Sequence, residues 1–258
     1  MRNARVAFGL VALAVGCGGL AASPARADEL TVWSGGAVRS VVEDLAQAFQ
    51  RETGNRVTMA FAPVGAIRKK LASGEPVDVV IMSDAATDEA IREGAVVAGS
   101  RVDIARTGMG VGVRDGAPRP DIATTEAFKA TLLAAKSLVY VDPAQGATSG
   151  IHFASVLARL GIADAVKGKT VLAEGGYPAE KVASGEVELV VHQISEILPV
   201  KGVVLAGPLP PNLQKITVYS AGLAARSASP ATARAFIAFL AQPAFKAKFA
   251  AAGLDYKP

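Results

Sequence analysis

Cysteine is almost missing from this sequence. Cys17 is the single one in 258 residues, so no disulfide can form within the chain and stability must come from a packed core. Aromatic side chains are sparse at 5%, which removes the stacking platforms that single-stranded nucleic acid requires. An excess of one charge is lacking too. The chain has 27 Lys and Arg against 23 Asp and Glu, but Arg2, Arg5 and Arg26 lie in an acid-free N-terminal stretch; without those three the balance is 24 to 23. A nearly neutral domain has no electrostatic footprint for nucleic acid or a membrane surface. Walker A, G-x-S-x-G and H-E-x-x-H patterns are absent. Two histidines and no cysteine after the leader argue against a transition-metal site. No cofactor and no metal are expected.

What is present begins with an export signal. Arg2 and Arg5 precede an apolar run from Val6 to Ala22, followed by Pro24-Ala25-Arg26-Ala27. A charged start, a short apolar core and an A-x-A ending predict a signal peptide over residues 1–27, cleaved after about Ala27. The run is interrupted by glycine and falls short of the ~20 strongly apolar residues of a membrane helix. An alternative reading makes Cys17, within "LAVGCGG", a lipid anchor. Either way the expected location is the periplasm.

From residue 30 onward strands and helices alternate. "LTVW" leads into a helix with Val38, Val41, Val42, Leu45 and Phe49 on one stripe, the spacing of an amphipathic helix with one buried face. "RVTMAF" alternates as a strand does, and "VDVVIM" reads as a strand buried on both faces. The pattern continues through helix 124–136, strand 137–142, helix 149–160, strands 170–173 and 187–192, and helices 230–240 and 243–252. An α/β fold with mostly parallel sheets follows. "KLASGEPVDVVIMSD" (70–84) and "KVASGEVELVVHQIS" (181–195) echo one another, as two lobes built on similar plans would; helix–Ser-Gly–strand connections also look alike without any such relation.

Four junctions between strand and helix have the composition of ligand loops. These are Ser34-Gly35-Gly36 with Arg39, Val64-Gly65 with Arg68, Gly146-Ala147-Thr148-Ser149 ahead of His152, and His192-Gln193 at a strand end. In the first three, free N–H groups at a helix start favour an anion, and in open α/β sheets ligands bind beyond the carboxyl ends of strands. Each signal has a structural reading beside it: glycine turns are often only turns, Arg68 suits a solvated face, and Ser149 suits an N-cap. His152 sits where the helix dipole disfavours a charged imidazolium. His192 interrupts an apolar strand. "GMGVGVR" (108–114) lacks the dinucleotide-binding spacing and reads as a strand crossing between lobes.

These junctions, in this order behind an export signal, resemble the periplasmic molybdate-binding protein family, the solute-binding component of ABC importers, over about Leu30 to Leu254. The resemblance implies a type II periplasmic binding protein: two α/β lobes, two crossover strands and a ligand cleft between them. Lobe 1 would comprise 28–108 and 220–258, and lobe 2 109–219. Departures are informative. Ala37 and Pro63-Val64 stand where molybdate binders place serines, and Gln193 stands where they place a tyrosine. "VHQISEILPVKGVVLAGPLPPNLQ" and "SRVDIARTGMGVGVRDGAPRPDI" are similar to a branch of the family that includes organic-acid binders and periplasmic aconitate isomerase. The resemblance implies a small anionic ligand, most simply a di- or tricarboxylate, and an ABC permease as the partner. Ser34, Gly35, Gly36, Val64, Gly65, Thr148 and Ser149 would then line the site, with Arg39 and Arg68 supplying charge and His192 and Gln193 selecting shape. The rival expectation is an aconitate isomerase-type enzyme with His152 or His192 as base; a molybdate or other oxyanion receptor is the third.

Overall fold

The computed structural model describes residues 27–256. Cys17 and the expected leader, apart from Ala27, lie outside them. The first part of the chain forms β1 (Glu29–Ser34), α1 (Arg39–Thr53), β2 (Arg56–Phe61), α2 (Val64–Ser73), β3 (Val79–Ser83), α3 (Asp84–Arg92) and β4 (Val102–Thr107). The middle forms β5 (Met109–Arg114), α4 (Thr125–Ala134), β6 (Leu138–Val141), α5 (Thr148–Arg159), α6 (Ala163–Lys167), β7 (Thr170–Ala173), α7 (Glu180–Ala183), β8 (Leu189–Gln193), α8 (Ile194–Ile197) and β9 (Val203–Pro208). The chain then returns through β10 (Thr217–Leu223), α9 (Pro230–Leu240), α10 (Lys246–Ala251) and β11 (Asp255–Tyr256).

Two sheets result, ordered β11-β4-β10-β3-β1-β2 and β7-β6-β8-β5-β9. Each is the spine of one α/β lobe. Both are mixed, with more antiparallel pairing than the alternation alone suggests. The strand–helix–strand units pair in parallel, β1 with β2 and β3, and β6 with β7 and β8. Chain reversal at the lobe crossings supplies the antiparallel strands: β10 runs against β3 and β4, and β5 against β8 and β9. The chain leaves the first sheet at Gly108, between β4 and β5. It comes back already at Thr217, which pairs with Thr107, three residues ahead of the expected boundary at 220. Gln214 ties the two crossings together by accepting from Met109 N at 2.7 Å and donating to Met109 O at 2.8 Å.

Packing follows the stripes. Val41, Val42, Leu45 and Phe49 of α1 are buried, and Phe49 meets Phe236 and Phe239 of α9 edge-on, with ring centroids 5.2 and 5.4 Å apart. In the second lobe Phe153 of α5 packs between Phe128 and Tyr140. All five residues of β3 and of β8 are buried, as continuous apolar runs covered on both faces should be.

The sequence echo has a structural counterpart. Lys70 Nζ pairs with Glu75 at 3.0 Å and Lys181 Nζ with Glu186 at 2.7 Å. Ser73 and Ser184 donate to the carbonyls of Lys70 and Lys181. Gly74 and Gly185 close their helices at φ +77° and +82°, left-handed values that a side chain would resist. Asp78 then accepts from Thr31 N on the neighbouring strand β1, and Glu188 from Lys136 N just ahead of β6. The match slips by one residue at Pro76, so Val79–Ser83 corresponds to Leu189–Gln193 with an offset of 110.

Candidate functional site

The two lobes face each other across a cavity of about 110 Å³. It lies beyond the carboxyl ends of β1, β2, β6 and β8, where the strands hand over to helices. The wall from the first lobe comprises Gly35, Gly36, Arg39, Phe61, Ala62, Pro63, Val64 and Tyr219. The second lobe contributes Val141, Ala147, Thr148, Ser149, Gly175, Gly176, Tyr177, His192, Gln193 and Glu196. The N-terminal ends of α2 and α5, and of the short helical turn Gly36–Val38 that runs into α1, all point at this space. Their first N–H groups have no partner within the helix, so the cleft gathers positive partial charge from both lobes.

The lobes touch at its rim. Gly65 N donates to Gly146 O at 3.2 Å. A Cβ on Gly65 would lie 2.8 Å from Gly146 Cα and from Gln145 O, so the backbones meet only because neither carries a side chain. A Cβ on Gly36 would run into Glu196 Oε1 of the opposite lobe. Deeper, Gln193 of β8 donates to the Tyr219 hydroxyl at 2.8 Å, and that hydroxyl lies 2.9 Å from Gln193 Oε1. Burial foremost, then the nearby Glu196 carboxylate, push the Tyr219 hydroxyl well above the ordinary tyrosine value. Burial also raises Tyr177, against the opposing pull of Arg39. Both phenols therefore stay protonated and remain hydrogen-bond donors.

Among the described residues, one cation lines the cavity. Arg39 is 40% exposed and gives its Nε to Glu43 at 3.0 Å. Its guanidinium sits 4.7 Å from the Phe61 ring centroid and 5.8 Å from that of Tyr177. Cation–π contacts with these two rings help to hold the group in place. The terminal nitrogens have no acceptor among the described residues, a geometry suited to gripping a carboxylate.

His192 and Glu196 form the polar floor. His192 is 2% exposed and Glu196 6%, and Nε2 lies 3.4 Å from Oε2. They come together because α8 starts one residue after β8 ends, bringing a strand residue and the residue four later onto the same side. Among the described residues, neither ring nitrogen of His192 has a hydrogen-bond partner.

Four residues predicted from the sequence fall elsewhere. Ser34 is fully buried beneath the wall and donates to Gly35 O. Gly65 forms the rim contact and opens onto an outer groove of lobe 1. Arg68, one helical turn further along α2, points away and pairs with Glu89 at 2.7 Å and Glu93 at 2.9 Å. His152 is likewise a turn along α5, where Nε2 lies 2.8 Å from Leu213 O; since a carbonyl only accepts, Nε2 carries the proton. Ser149 is not the N-cap, a position taken by Ala147. Glu196, Tyr177, Tyr219 and Phe61 were missed. Only Glu196 left a trace, as the fourth residue after His192 in "HQISE".

Two lobes, two crossings and an interlobe cleft define a type II periplasmic binding protein. The chain belongs to the bacterial extracellular solute-binding protein family, whose model matches residues 30–255, and it is a solute-binding protein of the molybdate-binding type. It is 36% identical over 242 residues to an aconitate isomerase of a Pseudomonas species, spanning 90% of this chain and 91% of the relative. It is 32% identical over 197 residues to the molybdate-binding protein ModA of Azotobacter vinelandii, spanning 74% and 75%. A solved structure, the periplasmic molybdate-binding protein of the same organism, superposes with a TM-score of 0.74 at 22% identity, over 89% of this chain and 99% of that one.

Proposed function

We propose that this protein takes an unsaturated tricarboxylate of the aconitate type into its interlobe cleft and shifts a proton along the carbon skeleton, interconverting the cis and trans isomers. One observation carries the reading: His192 lies on the floor of the cleft with both ring nitrogens unsatisfied. Leaving a buried polar group unpaired costs about 1–3 kcal/mol, so the position makes sense when a ligand completes it. Beside His192 stands a buried carboxylate, which gives the cleft a proton acceptor. Arg39 would grip one ligand carboxylate, while helix-start N–H groups at Gly36, Thr148 and Ser149 and the Tyr177 hydroxyl receive the others. The similarity to an aconitate isomerase over nearly the whole chain supports the same chemistry. The site of action is the periplasm, as for the solute-binding fold generally.

A second reading is a carboxylate receptor that delivers its ligand to an ABC permease. The lobe contacts across the cleft favour it, since closure over a solute is all that a receptor needs. Molybdate fits less well. The serines that the resemblance expects of molybdate binders are replaced here by Ala37, Pro63 and Val64.

Titration of the purified protein with cis-aconitate, with His192→Ala alongside, tests the reading. The parent should bind, molybdate should not displace the ligand, and the variant should lose at least tenfold in affinity, about 1.4 kcal/mol. Molybdate displacement, or unchanged affinity in the variant, contradicts it.

A further inference from the structure

We propose that Glu196 is the base that removes and returns the migrating proton, with His192 beside it on the cleft floor. The inference rests on the isomerase reading above and assigns the central step to a single group.

The structure shows what a purely structural buried carboxylate looks like in this molecule. Asp78, as buried as Glu196, accepts from Thr31 N at 2.8 Å, Ser227 Oγ at 2.6 Å and Ala228 N at 3.0 Å. Glu196 accepts no hydrogen bond from any described residue, and His192 Nε2 lies 3.4 Å from its Oε2. A buried carboxylate without donors from the protein is costly to keep. No fold requirement accounts for it.

Its placement fits the task. Oε2 faces His192, while Oε1 reaches across to Gly36 of the opposite lobe, a position open only because Gly36 lacks a Cβ. A carbon skeleton held between Arg39 and the helix starts of both lobes would therefore run past this carboxylate. His152, the other histidine, is committed to Leu213 O outside the cleft.

The step balances without a co-reactant. Glu196 takes a proton from the methylene carbon next to one carboxylate, and the C–H electron pair spreads over the allylic system and its carboxylates. The same proton, or one exchanged from solvent, returns to the far allylic carbon. The double bond moves by one position, and Glu196 ends as it began. The developing charge is met by Arg39 and the helix-start N–H groups.

The test compares the parent protein, Glu196→Gln and Glu196→Asp with cis-aconitate in D2O, followed by proton NMR, with affinity from a parallel titration. The parent should form the trans isomer and exchange ligand protons with solvent. Glu196→Gln should lose about 10²–10⁴-fold in both rates, the range of general-base catalysis, while binding cis-aconitate as tightly as the parent or more so. Glu196→Asp should recover part of the rate, which a merely structural side chain would not do. Turnover in Glu196→Gln within tenfold of the parent overturns the base assignment alone. A parent protein that binds cis-aconitate but neither isomerises nor exchanges it overturns the isomerase reading together with the assignment.

Discussion

The two lobes end the same supersecondary unit in opposite ways. Up to the strand they are near copies, with matching Lys–Glu pairs, Ser–carbonyl bonds and left-handed glycines. With the offset of 110, His192 corresponds to Met82 and Glu196 to Ala86. Met82 and Ala86 are buried in an apolar cluster with Trp33, Val64 and Ile67. Lobe 1 thus seals its tip with hydrocarbon, while lobe 2 puts an imidazole and a carboxylate at the equivalent place. The scaffold does not demand the pair, since its own second copy folds without one. What differs between otherwise similar units is where chemistry should be sought.

Exchanging the tips would break this comparison most severely. Met82→His with Ala86→Glu should destabilise the protein by about 3–5 kcal/mol, because it forces ionisable groups into a sealed cluster. The reverse exchange, His192→Met with Glu196→Ala, should leave stability unchanged or raise it by about 1–3 kcal/mol, since it removes unsatisfied buried groups, while abolishing turnover. Denaturant unfolding of both double variants measures the asymmetry; equal losses in the two lobes would refute it. Gly65→Ala addresses how the lobes meet. A Cβ there intrudes on Gln145 and Gly146, so cis-aconitate affinity should fall about tenfold, near 1.4 kcal/mol, with little change in the unfolding midpoint. The smallest effects belong to the shared part. Lys70→Ala and Lys181→Ala each remove a half-exposed ion pair, and each should cost under about 1 kcal/mol, with no difference between lobes.

The alternation of elements, the amphipathic stripe of α1 and the doubly buried β3 and β8 were legible because period and composition are local properties. The antiparallel strands were not, since Gly108 and residues 209–216 turn the chain between sheets without any local mark of direction. At the site, residues at the helix starts were readable: Gly35, Gly36, Thr148 and Ser149 line the cavity, with Arg39 at the foot of the first helix. Arg68 and His152 misled because they sit one turn further along, about 5.4 Å down the helix axis, where they meet other partners. Tyr219 and Tyr177 could not be found from neighbours in sequence. One arrives on the strand returning from lobe 2 and the other on a loop after β7, so only the tertiary fold brings them to the cleft. Glu196 depended on α8 beginning directly after β8, which puts it beside His192.

The most direct measurement is a proton NMR time course of cis-aconitate with the purified protein beside a protein-free control. The interlobe site described here predicts growth of trans-aconitate resonances well beyond the control. Ligand lines that broaden with no new resonance would contradict the isomerase reading and leave a carboxylate receptor; lines that do not change at all would contradict both.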